Sequence, residues 1–291
     1  DTPKMTDEAS YKEYLVNMVK TIASYNMNLM IFQVRPTNDA YYPSELNPWS
    51  RFITGTEGKD PGFDLLQFVI DEAKKYNIKI HAWMNPYRIS TNTNDISTAI
   101  KNGQYLGEAL PSVNVANKAE NLIKGEGGVI LNPGLQVVRD FIVDTCMEVV
   151  ENYDVDAIHF DDYFYIKNAD DASTRAKYNP KGLSTADWRG EQVNLFIEQL
   201  HDAMTAYNKA NNKAVQLGIS PSGIYKNGNG SVESGSNTVG FAHYGDYLYS
   251  DTYKCAKEGL IDYLLPQSYW AFEHPSAGYA DVMSWWNKAF E

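Results

Sequence analysis

The sequence is poor in cysteine and in positive charge and has no long apolar run, and each shortage closes a class of protein. Cys146 and Cys255 are the only two cysteines in 291 residues and stand far apart with no CxxC spacing, so neither a disulfide framework nor a thiolate zinc site is available. Lys and Arg number 25 against 37 Asp and Glu, a net charge of −12. Phosphate backbones and anionic lipid surfaces are repelled on average, and nucleic acid is not expected as a partner. Apolar runs such as Leu29 to Phe32 fall far short of the roughly 20 residues that a membrane-crossing helix needs. No GxGxxG or GxxxxGKS/T follows any apolar run, which removes the signature of the nucleotide-binding sheets.

What is present is a folded globular composition, 43% hydrophobic and 21% charged, at a length that suits one large α/β barrel or two ordinary domains. Tyr14, Leu15, Met18, Val19 and Ile22 recur at helical spacing behind Thr6, Asp7 and Glu8, predicting an opening helix capped at Thr6. Strands are predicted at 28–35, 78–85, 155–162, 215–222 and 261–269. Helices are predicted at about 63–76, 135–153, 191–207, 251–258 and 279–290. The polar stretch from Ser90 to about Gly128 reads as a functional loop with short helices of its own. Strands separated by helices imply parallel pairing through right-handed crossovers. The expected fold is therefore α/β, a single TIM-type (β/α) barrel domain over 1–291. Five strands are read where a complete barrel has eight, the remainder supplied irregularly or lying outside this sequence.

Side chains alternate across a strand, and the alternation divides each strand into an apolar and a polar set. Gln33 and Arg35 oppose Met30, Phe32 and Val34; His81, Trp83 and Asn85 oppose Ile78, Ile80 and Ala82; His159, Asp161 and Tyr163 oppose Ile158 and Phe160. Ser220 and Ser222 oppose Leu217 and Ile219, and Gln267 and Tyr269 form the polar set of the last strand. All five sets lie toward C-terminal strand ends, where an α/β barrel has its pocket. One polar residue at a strand end is more often only leaving the core. Five strands doing so together favour a pocket, since buried polar groups without a ligand or network are costly.

Within that pocket the alternation selects Asp161 as the interior acid and leaves Asp162 on the rim, unless the strand has already ended there. Glycoside hydrolysis generally uses two carboxyl groups, and Asp162, Asp251 and Glu273 compete to be the second. The structural alternatives are a loop cap or an ion pair with Arg88 or Arg35 for Asp162, and a plain exposed acid for Glu273. His81 and His159 could join Asp161 on a metal, but clustered spacing is lacking; they read more simply as ligand donors or orienters of Asp161, and no metal or cofactor is expected. Arg35 and Arg88 are candidates to bind a carboxylate or orient an acid. Trp83, Tyr87, Tyr163, Tyr269 and Trp270 offer faces that stack on sugar rings.

FQVRPTNDAYYPSELNPWS, IKIHAWMNPYR, DAIHFDDYFY, ISPSGIY and DYLLPQSYW, in this order between Asn28 and Trp270, resemble the glycosyl hydrolase-like family 10, bacterial envelope proteins with a glycosidase-related barrel. The resemblance implies cleavage of peptidoglycan glycan strands without a metal, by hydrolysis or by lytic transglycosylation, outside the cytoplasm. It places Asp161 and Asp162 on the acidic pair of HFDDYFY, Gln33 and Arg35 on QVRP, and Gln267, Tyr269 and Trp270 on the PQxYW segment. It further implies a strand ahead of the first helix and more after the last. The expectation is thus a monomeric glycosidase acting on glycan chains. Asp161 works with Asp162 or Glu273, and Gln33, Arg35, His81, Trp83, Asn85, Tyr87, Arg88, His159, Tyr163, Ser222, Gln267, Tyr269 and Trp270 bind substrate. The rivals are a carbohydrate-binding barrel without turnover and a glycosidase for plant or host polysaccharides.

Overall fold

The computed structural model describes residues 3–101 and 110–291, the side chains of 100 and 101 excepted. The elements in chain order are α1 (Glu8–Ser24), β1 (Leu29–Arg35), α2 (Arg51–Thr54), α3 (Leu65–Lys74), β2 (Lys79–Met84), β3 (Arg88–Ser90) and α4 (Ile96–Lys101). There follow β4 (Leu122–Gly125), β5 (Gly128–Leu131), α5 (Gln136–Asn152), β6 (Ala157–Phe160), α6 (Ala172–Tyr178) and α7 (Thr185–Asn211). The last are β7 (Gln216–Ile219), α8 (Thr252–Lys257), β8 (Tyr263–Leu264) and α9 (Tyr279–Phe290). The opening helix is capped by Asp7, not Thr6: the Asp7 carboxylate accepts the Ser10 N–H at 2.8 Å, as a carboxylate does at a helix start. Tyr11, Leu15 and Val19 then form its buried stripe.

All five predicted strands are present and form one sheet in the order β1-β2-β6-β7-β8, every pair parallel. Sequential order is that of a (β/α) barrel, whereas a doubly wound sheet reverses direction partway. The sheet is also curled. β2 and β8 are three strand spacings apart, about 14 Å in a flat sheet, yet His81 on β2 and Tyr263 on β8 meet side chain to side chain at 2.6 Å. Only inward curvature brings them together, so the fold is a TIM-type barrel arc of five described strands. Ile80, Ala82, Ile158, Phe160, Leu217 and Ile219 are buried on its convex side under the helices. Each fully buried Val, Leu or Ile contributes about 1.5–3 kcal/mol relative to exposure.

The stretch read as a polar loop holds a second sheet. β3, β5 and β4 pair antiparallel, with β4 and β5 joined as a hairpin at Glu126 and Gly127. Gly128 is required there, because a Cβ would lie 2.3 Å from the Ser90 carbonyl oxygen. Leu122, Ile123, Val129 and Leu131 are buried, and the sheet sits beside the barrel mouth. Part of the stretch, 102–109, lies outside the described residues. Among the described residues no helix is long and apolar enough to cross a membrane.

Candidate active site

The strands end earlier than their hydrophilic tails. β6 stops at Phe160, so Asp161 and Asp162 leave the alternation and both face the mouth. The Asp162 backbone N–H donates to Asp161 Oδ1 at 2.8 Å, and Gln267 Nε2 donates to the same oxygen at 2.7 Å. Gln267 is itself fixed by donating to the Ser220 carbonyl at 2.7 Å, so β6, β7 and the segment after β8 converge on Asp161. The two carboxyl groups lie within hydrogen-bond reach of each other. Burial first, then the Asp161 charge and the bond to it, push the Asp162 carboxyl from its ordinary 3.8 up to about 7. The Arg88 charge opposes that rise. Asp162 is therefore the acid that still carries a proton near neutrality.

The loop bearing this pair is pinned from below. Arg189 of α7 holds Asp171 through Nε and Nη2, both at 2.7 Å, and its remaining donors reach the Ala169 carbonyl at 2.7 Å and the Tyr249 hydroxyl at 3.0 Å. Both partners are almost sealed from solvent. A buried, fully satisfied fork of this kind fixes geometry even where its net stabilisation is small.

Beneath the pair, the interior face of the sheet carries His81, Trp83 and His159, as the alternation predicts. Tyr263 joins them: its hydroxyl lies 2.6 Å from His81 Nδ1 and 2.9 Å from His159 Nδ1. Burial lowers both histidines, His159 to about 4, so both are neutral at pH 7. Trp83 Nε1 and Asn85 Oδ1 are buried without a partner among the described residues; unpaired polar atoms around a pocket are what a bound ligand or water would satisfy. Gln33 is half-buried and pairs in register with Trp83. Ser222 approaches Nδ1 of the buried His243 at 3.4 Å.

At the rim, Arg88 stacks on Tyr163, 4.0 Å from the ring centre, instead of pairing with Asp162. Tyr163 and Tyr269 are 45% and 84% exposed; Tyr269, and the side of Tyr163 turned away from Arg88, are surfaces of the kind that stack on sugars. Trp270 is half-buried against the cluster around Tyr225 and Trp286, so it supports the rim more than it lines it.

Three expectations, Arg35, Tyr87 and Asp251, need correction. Arg35 is fully buried on the convex side: the register shifts between Gln33 and Arg35 and pairs Arg35 with Met84, which touches Cys146 of α5. The bulge inserts one residue and flips the face. There the guanidinium donates to the Asn85 and Pro86 carbonyls at 2.7 and 3.0 Å and to Asn38 Oδ1 at 2.8 Å, so it braces the β1 and β2 ends from within the core. Tyr87 is likewise in the core, edge-on to Phe196 of α7. Glu273 is exposed in the loop after β8, and among the described residues it makes no hydrogen bond or ion pair with Asp161 or Asp162. Asp251 caps α8 and accepts the Tyr225 hydroxyl at 2.7 Å, a structural duty. Tyr263 is the residue the sequence reading missed; Gly218 was its signal, since a glycine in a strand marks a close approach. A Cβ there would fall 2.0 Å from the Tyr263 ring.

The pattern of a known family, described as Glycosyl hydrolase-like 10, matches residues 5–291. The chain belongs to this family. Among curated relatives, it is 38% identical over 284 residues to glycosyl hydrolase YngK of Bacillus subtilis, covering 95% of this chain and 52% of the relative. It is 36% identical over 279 residues to glycosyl hydrolase DigH of Escherichia coli K12, covering 94% and 62%. The chain thus spans between half and two thirds of the length of these relatives. Among solved structures, the PgaB (BpsB) glycoside hydrolase domain of Bordetella bronchiseptica matches with a TM-score of 0.53 at 12% identity, over 74% of this chain and 61% of that one. This last likeness concerns the fold alone and agrees with the barrel arc. Membership supports a glycosidase-type function for a mouth built around two carboxyl groups.

Proposed function

We propose that this chain is the glycan-cleaving part of an extracytoplasmic enzyme acting on bacterial cell-wall strands that contain N-acetylated amino sugars. One observation carries the reading: a pair of touching carboxyl groups in the barrel mouth, one of them raised to about 7. Asp162 donates its proton to the leaving glycosidic oxygen, and Asp161, oriented by Gln267, stabilises the positive charge that develops on the sugar ring. Tyr163 and Tyr269 stack on neighbouring sugars. The peptidoglycan substrate follows from the family resemblance, not from the geometry of the mouth.

Two carboxyl groups that flank a glycosidic bond stand about 5–5.5 Å apart in retaining enzymes and about 6.5–9.5 Å apart in inverting ones. Asp161 and Asp162 are adjacent and hydrogen-bonded to each other, so they act as one unit on one side of the bond. The attacking oxygen then comes from water or from a hydroxyl of the substrate itself, and the second route leaves a 1,6-anhydro end. The test is incubation with peptide-free glycan strands, and separately with plant polysaccharides, followed by mass spectrometry. Cleaved wall strands with anhydro or reducing ends support the reading and decide between the routes. Cleavage of plant polysaccharide alone overturns the substrate, and binding without any cleavage overturns the enzyme.

A further inference from the structure

The Tyr263 hydroxyl touches two imidazole Nδ1 atoms at once, at 2.6 and 2.9 Å, and it has one proton. It donates that proton to one ring, whose Nδ1 must be bare, and it accepts from the other, whose Nδ1 must carry hydrogen. If both Nδ1 atoms were bare, one contact would set lone pair against lone pair. If both were protonated, the phenol proton would need a third acceptor, and the described residues supply none to Tyr263. Protonated imidazolium is disfavoured for both rings by burial, as stated above. Among the described residues neither Nε2 has a hydrogen-bond partner, and neither is among the sealed, unpaired polar atoms, so both are open to a ligand.

We propose that Tyr263 locks His81 and His159 into opposite tautomers, so that their Nε2 atoms present one N–H donor and one bare acceptor to a sugar substituent that both donates and accepts. An acetamido group and a hydroxyl share that chemistry. The ligand half of this inference rests on the glycan reading above; the tautomer half does not. Tyr263 is a positioning residue, since it reaches the ligand only through the histidines. Its own place is set by Gly218, where a Cβ would fall 2.0 Å from the ring, and it leans on both rings, with centroids 5.1 Å from His81 and 5.8 Å from His159.

Long-range proton–nitrogen NMR of the histidine-labelled chain at pH 7, assigned with His81→Gln and His159→Gln, reads the tautomers without any turnover. The expected spectrum has both rings neutral, one protonated on Nδ1 and the other on Nε2, and Tyr263→Phe abolishes that enforced difference while the backbone spectrum stays folded. Two rings in the same tautomer, or either ring cationic, overturns the inference whatever the enzyme cuts. Calorimetry with tri-N-acetylchitotriose and with cellotriose tests the ligand half. Tyr263→Phe weakens binding about tenfold, the effect of one hydrogen-bonding partner lost. A larger loss for tri-N-acetylchitotriose marks the acetamido group and an equal loss marks a hydroxyl. Unchanged affinity for both sugars overturns the ligand half. Wild type that binds neither sugar contradicts the glycan reading and leaves the tautomer result to stand or fall by the spectrum.

Discussion

Replacing Asp162 with Asn should make the protein more stable and less active, and only above a certain pH. Burial and the neighbouring Asp161 raise the Asp162 carboxyl from 3.8 to about 7, so the fold favours the protonated form and the unfolded chain does not. Below pH ~4 the group is protonated in both states and costs nothing. As pH rises from about 4 to 7 the unfolded chain releases a proton that the fold retains, and stability falls; above about 7 the whole penalty is present. A shift of about three units corresponds to ~4 kcal/mol, but Asp162 is partly exposed, and solvent screening reduces the expected figure to roughly 1–2 kcal/mol. Asn cannot ionise, and its amide can donate to Asp161 as the protonated acid does. Urea unfolding of wild type and D162N at pH 4.0 and pH 8.0 measures the difference. The expected result is a gain of about 1–2 kcal/mol for D162N at pH 8 that shrinks toward zero at pH 4. An equal effect at both pH values, or a loss at pH 8, would refute the argument that the mouth holds a strained acid pair.

Other outcomes follow from the same geometry. The rate constant kcat/KM should fall above pH ~7 as Asp162 loses its proton; activity still climbing at pH 9 would remove Asp162 as the proton donor. Arg189→Ala leaves the Asp171 carboxylate, 2% exposed, without its counter-ion and should cost about 3–5 kcal/mol in denaturant unfolding; a change below 1 kcal/mol would mean that the Asp171–Arg189 fork does not pin the acid-bearing loop. Gly218→Ala drives a methyl into the Tyr263 ring, 2.0 Å away, and should cost about 1–3 kcal/mol. If that variant unfolds like wild type, the close packing of Tyr263 on β7 is wrong.

The barrel arc was legible because each parallel strand is apolar on its convex face and polar at its C-terminal end. Period-two alternation therefore located the five strands and put His81, His159 and Asp161 on one surface. The same rule failed where the backbone departs from it. The register shift at Val34 turned Arg35 outward, toward α5. The early end of β6 let Asp162 join Asp161, which the alternation alone had assigned to the rim. Tyr263 sits in a strand of two residues, too short for a pattern, and only its fit over Gly218 betrays it. The hairpin of β4 and β5 was hidden by glycines and charges at its turn, although Leu122, Ile123 and Val129 to Leu131 frame Glu126 and Gly127 as two apolar arms. Tyr87 looked like a stacking face from sequence; whether an aromatic lines a cleft or fills a core depends on which helix lands on it, and α7 lands on Tyr87.

The central claim is that Asp161 and Asp162 together carry the cleavage. Single-turnover release of fragments from peptide-free wall glycan by Asp161→Asn, with wild type in parallel and glycan affinity measured on both, tests it most directly. The account predicts affinity within a fewfold of wild type and cleavage slowed by about 10³ or more, the scale of removing a preorganised electrostatic group. Cleavage by the variant at the wild-type rate would contradict it.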